Sequence, residues 1–192
     1  MRRLILLAFA VIALAVVASG CGEDEERSST GTPTDRAFAS QMVPHHEGAI
    51  EMAEFARQRA EHPELKRLAT RIIGAQRAEI GVLRPIEAAL ERADVPVGEL
   101  GLDEHDLNTA GDIHTLEESD QFDRSFIEMM IPHHESAVRM ATVELRSGKN
   151  PRLRRLADAI IEAQRREIDQ MKDWFMAWYG EEPGTEGAEH SG

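Results

Sequence analysis

The chain contains one helical sequence twice, and this repeat constrains its fold more than any other feature. FASQMVPHHEGAIEMA, which begins at Phe38, returns as FIEMMIPHHESAVRMA at Phe126, 88 positions later and without an insertion. Such a repeat predicts two copies of one structural unit whose apolar faces pack together. Because paired histidines recur in the same register, the repeat also indicates a two-fold site inside a two-fold scaffold.

Each copy predicts an antiparallel helical hairpin. Pro63 begins the second helix of the first hairpin, and Pro151 does the same in the second hairpin, since proline is favoured in the first turn of a helix. Apolar residues recur at alternating steps of three and four, which is typical of the inward face of a bundle helix. The sequence therefore predicts an all-α four-helix bundle built from repeated hairpins at about 35–92 and 119–179.

The N-terminal segment is expected to be a targeting signal rather than part of the bundle. Arg2 and Arg3 precede an apolar run from Leu4 to Val17, which is too short to span a membrane comfortably. Small residues then precede Cys21, as at a bacterial lipoprotein cleavage site. We therefore expect a lipoprotein-type signal peptide at 1–20 and a lipid on Cys21, with an ordinary secreted protein as the alternative.

The segments that flank the bundle differ from it in composition. Residues 21–34 are polar and rich in helix breakers, so we expect a flexible tether, with Thr34 or Asp35 capping the first helix. Residues 180–192 are acidic and glycine-rich, and we expect this tail to be disordered.

Charge and cysteine usage exclude several functions. The formal net charge of −13 argues against a nucleic-acid partner, because the phosphate backbone would be repelled. Cys21 is the single cysteine, so neither an intramolecular disulfide nor a thiolate metal cluster is available. A soft metal would have to bind methionine, with histidine as the borderline partner.

The repeated polar residues fall in one layer of the predicted bundle. In an antiparallel hairpin, residues equidistant from the turn lie side by side, which places His45 level with Glu79 and His133 level with Glu167. Buried polar groups are costly unless they are paired. The layer therefore predicts either a metal site or a hydrogen-bonded device that fixes the register of the bundle.

Neighbouring residues refine this layer. Consecutive residues point about 100° apart on a helix, so one histidine of each pair is expected to face the bundle centre and the other to flank it. Pro44 and Pro132 are expected to bend the helices just before these histidines. Met42 and Met130 share the histidine face as candidate thioether ligands, whereas the other methionines fill the core by default. The remaining histidines are predicted to be solvent-exposed: His62, His105, His114 and His190.

Over residues 35–179 the chain resembles the bacterial DUF305 family, whose hallmark is a methionine followed by HH and AxxMA, with QxxEI on a later helix. The first copy of the hallmark comprises Met42, His45, His46, Ala49, Met52 and Ala53 with Gln76, Glu79 and Ile80, and the second comprises Met130, His133, His134, Ala137, Met140 and Ala141 with Gln164, Glu167 and Ile168. The resemblance implies a ferritin-like four-helix bundle. It also implies a copper-binding or copper-tolerance role outside the cytoplasm, as in some members.

The favoured hypothesis is an exported metal-binding protein held on the extracytoplasmic face of the membrane by its lipid. Copper is preferred over iron or zinc because imidazole and thioether suit Cu(I), and imidazole suits Cu(II). Glu79 and Glu167 would orient the histidines or bind the metal directly. The predicted ligands are His45, His46, His133, His134, Met42 and Met130, with Glu79 and Glu167.

Two other functions remain open. A ferritin-like di-metal redox enzyme is one, but such sites use Glu-x-x-His pairs, and the polar layer contains none, so an enzymatic role is disfavoured. A structural or partner-binding bundle without metal is the other.

Overall fold

A computed structural model describes residues 31–102 and 113–184 and confirms the all-α four-helix bundle. Two long helices form each hairpin, and a short helix precedes the second hairpin. Across this part of the chain no strand occurs. The helices are α1 (Pro33–Arg59), α2 (Pro63–Arg92), α3 (Ile113–Glu118), α4 (Phe122–Ser147) and α5 (Pro151–Tyr179).

The helix ends follow local sequence chemistry. Thr32 is the N-cap of α1, Pro33 occupies the first turn, and the Asp35 carboxylate accepts a bond from the Thr32 amide in a reciprocal capping box. The prediction that Thr34 or Asp35 is the cap was therefore wrong by two or three positions, because Pro33 already fits the first turn. Asn150 caps α5 through its side chain, and Gly180 ends that helix in the left-handed conformation at φ 77°.

The two hairpins meet mainly through α1 and α4, which run antiparallel across the centre of the bundle. A buried aspartate fixes each end of this pair. Asp35 at the start of α1 accepts hydrogen bonds from the backbone amides of Lys149 and Asn150, at 2.8–3.1 Å, in the turn of the second hairpin. The first hairpin thus holds the turn of the second hairpin.

At that other end, Asp123 at the start of α4 accepts hydrogen bonds from the amides of Glu61 and His62, at 2.8–3.1 Å. These residues lie 88 positions from their counterparts, so the two ends are related by the repeat. We call the two arrangements the Asp35 latch and the Asp123 latch.

The core consists of two apolar clusters on either side of a polar layer. One cluster contains Met42 and Met140, and the other contains Met52 and Met130. The layer between them is formed by the paired histidines of α1 and α4, all at most 8% exposed. Among the helices described, none is long and apolar enough to cross a membrane.

One of the histidines predicted to be solvent-exposed has a structural role instead. His62 is half-buried, its Nδ1 lies 2.7 Å from Oδ2 of Asp123, and its ring stacks on Trp178 at 3.6 Å. The prediction was wrong because the Asp123 latch encloses this turn. His105, His190 and Cys21 lie outside the described residues, as does the side chain of His114.

Candidate metal centre

Two histidines from different hairpins meet at the centre of the polar layer. The rings of His45 and His133 have centroids 3.8 Å apart with an angle of 40° between their planes. The two residues are 8% and 1% exposed. Both ring nitrogens of His45 and Nδ1 of His133 lack a hydrogen-bond partner among the residues described. Unpaired polar atoms in such a place are costly, which points to a function for them.

The second histidine of each pair contacts the glutamate of its own hairpin. Nε2 of His134 hydrogen-bonds to Oε2 of Glu167 at 2.8 Å. In the first repeat, Nε2 of His46 lies 2.7 Å from Oε2 of Glu79, at ion-pair distance but without hydrogen-bond alignment. The glutamates are the outermost members of the layer, with side chains 16% and 19% exposed, whereas His46 and His134 are fully buried.

This pairing corrects the expectation that His45 faces Glu79 and that His133 faces Glu167. The hairpin turn sets the axial level correctly to within one residue, or about 1.5 Å. The rotation of about 100° between neighbours then decides which ring faces which helix. His45 and His133 point across the α1–α4 contact, and His46 and His134 point within their own hairpins.

Burial keeps the central imidazoles unprotonated. Desolvation, followed by the charges of His46, His134 and Arg139, lowers the pKa of His45 to about 3. Desolvation and the neighbouring histidines likewise hold the pKa of His133 well below its ordinary value. A neutral imidazole has the free lone pair that binds a metal, so both rings are in the ligating form at neutral pH.

The flanking histidines are also arranged as ligands commonly are. A histidine that binds a metal through one nitrogen usually donates the other N–H to a carboxylate, which orients the ring. Nε2 of His46 and of His134 contacts a glutamate, and Nδ1 of each ring has no hydrogen-bond partner in the part of the chain that the structure describes.

The predicted thioether ligands flank the histidine layer on opposite sides. Met42 and Met130 are fully buried, in different apolar clusters. Each precedes its central histidine by three residues, an axial distance of about 4.5 Å. Met52 and Met140 lie seven residues beyond those histidines, or about 10.5 Å along the helix. Position thus makes Met42 and Met130 better candidates than the other two.

The residues fit a metal by chemistry, but they are not already gathered around one point. Among the described residues, no three His, Cys, Asp or Glu side chains form a metal-ready group. The rings of His45 and His133 are in direct contact, and metal–nitrogen bonds of about 2.0 Å would require them to separate. Binding of a metal ion between the hairpins would therefore include a movement of these rings.

Pro44 and Pro132 lie one residue before the central histidines, and α1 and α4 continue through them. Since proline has no N–H, the carbonyl four residues earlier loses its helical bond.

Sequence reasoning missed Arg139, whose charge acts on His45. A comparison of the two copies could have found Arg139, because the first copy has an acid, Glu51, at the corresponding position.

Comparison with known proteins assigns the family. The family model described as "Domain of unknown function (DUF305)" matches residues 35–175. None of the curated proteins compared with the chain matches it. CopM in its Cu(II)-bound form is 42% identical, with a TM-score of 0.66 over 76% of this chain and 97% of that one.

Two further solved structures are similar. CopM in its Ag-bound form, obtained by soaking, is 41% identical, with a TM-score of 0.64 over 76% of this chain and 97% of the other. A DUF305 fragment from Deinococcus radiodurans is 29% identical, with a TM-score of 0.58 over 77% of this chain and 98% of the fragment. By its repeated motif, its fold and the span of the family match, the chain belongs to the DUF305 family.

Proposed function

We propose that the protein binds copper in the histidine layer, with the central pair His45 and His133 as its first ligands. The observation that carries this proposal is a pair of buried, unprotonated imidazoles from two hairpins. Among the described residues, both ring nitrogens of His45 and Nδ1 of His133 lack a hydrogen-bond partner. The similarity to CopM, which has been solved with Cu(I), Cu(II) and Ag bound, supports copper as the metal.

The donor set favours copper over harder metals. The layer offers four imidazoles and nearby thioethers but only two carboxylates, each of which is already close to a histidine. Imidazole suits Cu(II), and thioether with imidazole suits Cu(I). Met42 and Met130 would complete the Cu(I) site, and Glu79 and Glu167 would orient His46 and His134.

The test is metal retention by purified residues 22–192. The protein is exposed separately to Cu(I) under reducing conditions, Cu(II), Fe(II) and Zn(II), desalted, and analysed for bound metal. We expect copper to be retained, and His45→Ala and His133→Ala each to weaken it at least about tenfold with helicity preserved. Glu79→Gln and Glu167→Gln should weaken it about 10–100-fold.

Matched variants identify the thioether ligands. Met42→Leu should weaken Cu(I) binding, whereas Met52→Leu, which is equally buried but farther along the helix, should leave it unchanged. Retention of no metal, or copper binding unaffected by both histidine variants, would refute the proposal. Oxygen consumption with iron instead of copper would support the alternative of a redox enzyme.

We further propose that the bundle acts outside the cytoplasm, attached by a lipid on Cys21. The arginines followed by an apolar run and small residues before Cys21 support this location. Membrane fractionation of the full-length protein tests the anchor, since Cys21→Ser should shift the protein to the soluble fraction.

A further inference from the structure

Glu144, in the last turn of α4, is a buried acid that has no part in the histidine layer. The residue is 0% exposed. Its carboxyl group packs so closely on Gly148 that a Cβ atom at position 148 would overlap it. Within the described part of the chain, neither carboxyl oxygen meets a hydrogen-bond donor. An ionised carboxylate in this position would be strongly disfavoured.

Glu144 faces the Asp35 latch, because its carboxyl group packs on Gly148 and Asp35 binds the amide of the next residue, Lys149. The two carboxyl groups differ in their surroundings. Asp35 accepts hydrogen bonds from the amides of Lys149 and Asn150 and from the Thr32 hydroxyl at 2.7 Å. Burial alone would raise the pKa of Asp35, but these hydrogen bonds outweigh it and lower the pKa. Asp35 is therefore the ionised partner. Two carboxyl groups form a hydrogen bond only when one of them has a proton, which leaves Glu144 as the donor.

We propose that Glu144 is a proton-binding site, and that its proton holds the start of α1 on the turn of the second hairpin. When protonated, Glu144 donates its O–H to the Asp35 carboxylate. When the proton leaves to water, two buried anions face each other. Their repulsion weakens the bonds that Asp35 accepts from Lys149 and Asn150, so the Asp35 latch loosens.

The charged groups around Glu144 favour this behaviour. Asp35 from α1 and Arg154 from α5 are the charged side chains that act on it. Nη1 of Arg154 is occupied by the carbonyl oxygens of Leu145 at 2.5 Å and Gly148 at 3.1 Å. Burial, followed by the hydrogen bond and charge of Asp35, raises the pKa of Glu144 to about 8, and Arg154 opposes this rise. Release therefore falls in the neutral to mildly alkaline range.

The other end of the bundle is a matched internal control. The Asp123 latch binds the amides of Glu61 and His62 in the same way. At the position equivalent to Glu144, however, the first repeat has Ala56. The first hairpin turn therefore has an aspartate latch without the facing acid, and it should not respond to this proton.

Nuclear magnetic resonance of residues 22–192 without metal tests the proposal. The Glu144 side-chain carboxyl carbon should titrate with a midpoint near the pKa of about 8 given above. The amide signals of Lys149 and Asn150 should shift with the same midpoint, and those of Glu61 and His62 should not. A Glu144 midpoint near 4.5, its ordinary value, would overturn the proposal. If Glu144 titrates near 8 but the amide signals of Lys149 and Asn150 do not shift, the proton does not hold the Asp35 latch, and the proposal is overturned.

A variant separates the proton from the shape of the side chain. Glu144→Gln keeps an N–H donor towards Asp35 and cannot ionise, so the Lys149 and Asn150 amides should show no transition near pH 8. A transition that persists in this variant would refute the assignment to Glu144. The wild-type carboxyl titration decides the proposal independently if the variant does not fold.

Discussion

At the scale of single residues, the central imidazoles reduce the stability of the metal-free protein. His45 and His133 are buried next to apolar clusters, and three of their four ring nitrogens have no hydrogen-bond partner within 31–102 and 113–184. A buried polar group without a partner costs about 1–3 kcal/mol. Residues that serve only to stabilise the bundle would be hydrogen-bonded, so their cost is evidence for binding.

This view predicts the effect of replacing both rings by an apolar side chain. The double variant His45→Leu with His133→Leu should be more stable without metal by about 1–3 kcal/mol, because it removes unpaired buried nitrogens. Urea unfolding of metal-free protein at pH 7 measures the change. The same variant should not bind copper.

A polar double variant tests whether the gain in stability comes from the removal of buried polar atoms. His45→Gln with His133→Gln keeps polar atoms in the layer and should gain no stability. If the leucine variant is instead less stable or unfolds without cooperativity, the histidines fix the register of the bundle, and the alternative of a structural polar layer is preferred.

At the scale of secondary-structure elements, the two latches determine how the hairpins fit together. Each aspartate lies in the first turn of its helix and satisfies amides in the turn of the other hairpin. Helix starts have free N–H groups that favour a nearby carboxylate. Here the carboxylate also bonds outside its own helix, so the ends of α1 and α4 are fixed to the opposite turns.

The latches predict unequal effects of two neighbouring aspartates. Asp123→Asn keeps the size of the side chain but loses a charged acceptor for two amides, and it should cost roughly 2 kcal/mol of unfolding free energy. Asp120 is exposed, three residues away, and Asp120→Asn should change stability by less than about 0.5 kcal/mol. Equal effects in thermal or urea unfolding would contradict a role for the Asp123 latch.

The sequence predicts long-range features well where they depend on period and chain geometry. The turns at Pro63 and Pro151, the four long helices and the depth of the polar layer all follow from spacing. Spacing could not predict that His46, and not His45, contacts Glu79. This choice depends on the rotation of α1 about its axis, which is set by how α1 packs against two neighbouring helices. The latches were missed for another reason. The offset of 88 relates Asp35 to Asp123, but only the fold shows that each contacts the other repeat.

At the scale of the whole molecule, Asp35 and Glu144 give opposite contributions to the pH dependence of stability. The pKa of Asp35 is lowered on folding, so its contribution is present above its ordinary value of 3.8 and is lost as the pH falls. The pKa of Glu144 is raised, so its contribution is complete below 4.5 and declines as the pH rises towards about 8.

The sign of this linkage predicts a fall in stability across neutral pH. Between about pH 5 and pH 8, Glu144 is ionised in the unfolded chain but keeps its proton in the folded protein. The unfolding free energy should therefore fall by at most about 1.4 kcal/mol per pH unit. In Glu144→Gln this component should disappear, so the unfolding free energy of the variant should rise relative to that of the wild type towards alkaline pH. Urea unfolding at several pH values in this range measures the unfolding free energy of both proteins. If the two free energies change in parallel with pH, the prediction is contradicted.

The reciprocal latches have a consequence for how the two halves of the chain relate to each other. The two latches are counterparts 88 positions apart, and His45 meets its own counterpart, His133. This is the self-complementary interface of a C2 homodimer, in which the same patch serves both subunits. Because both halves belong to one chain, their sequences can differ. Glu144 opposite Ala56 and Arg139 opposite Glu51 are differences that a symmetric homodimer could not have contained.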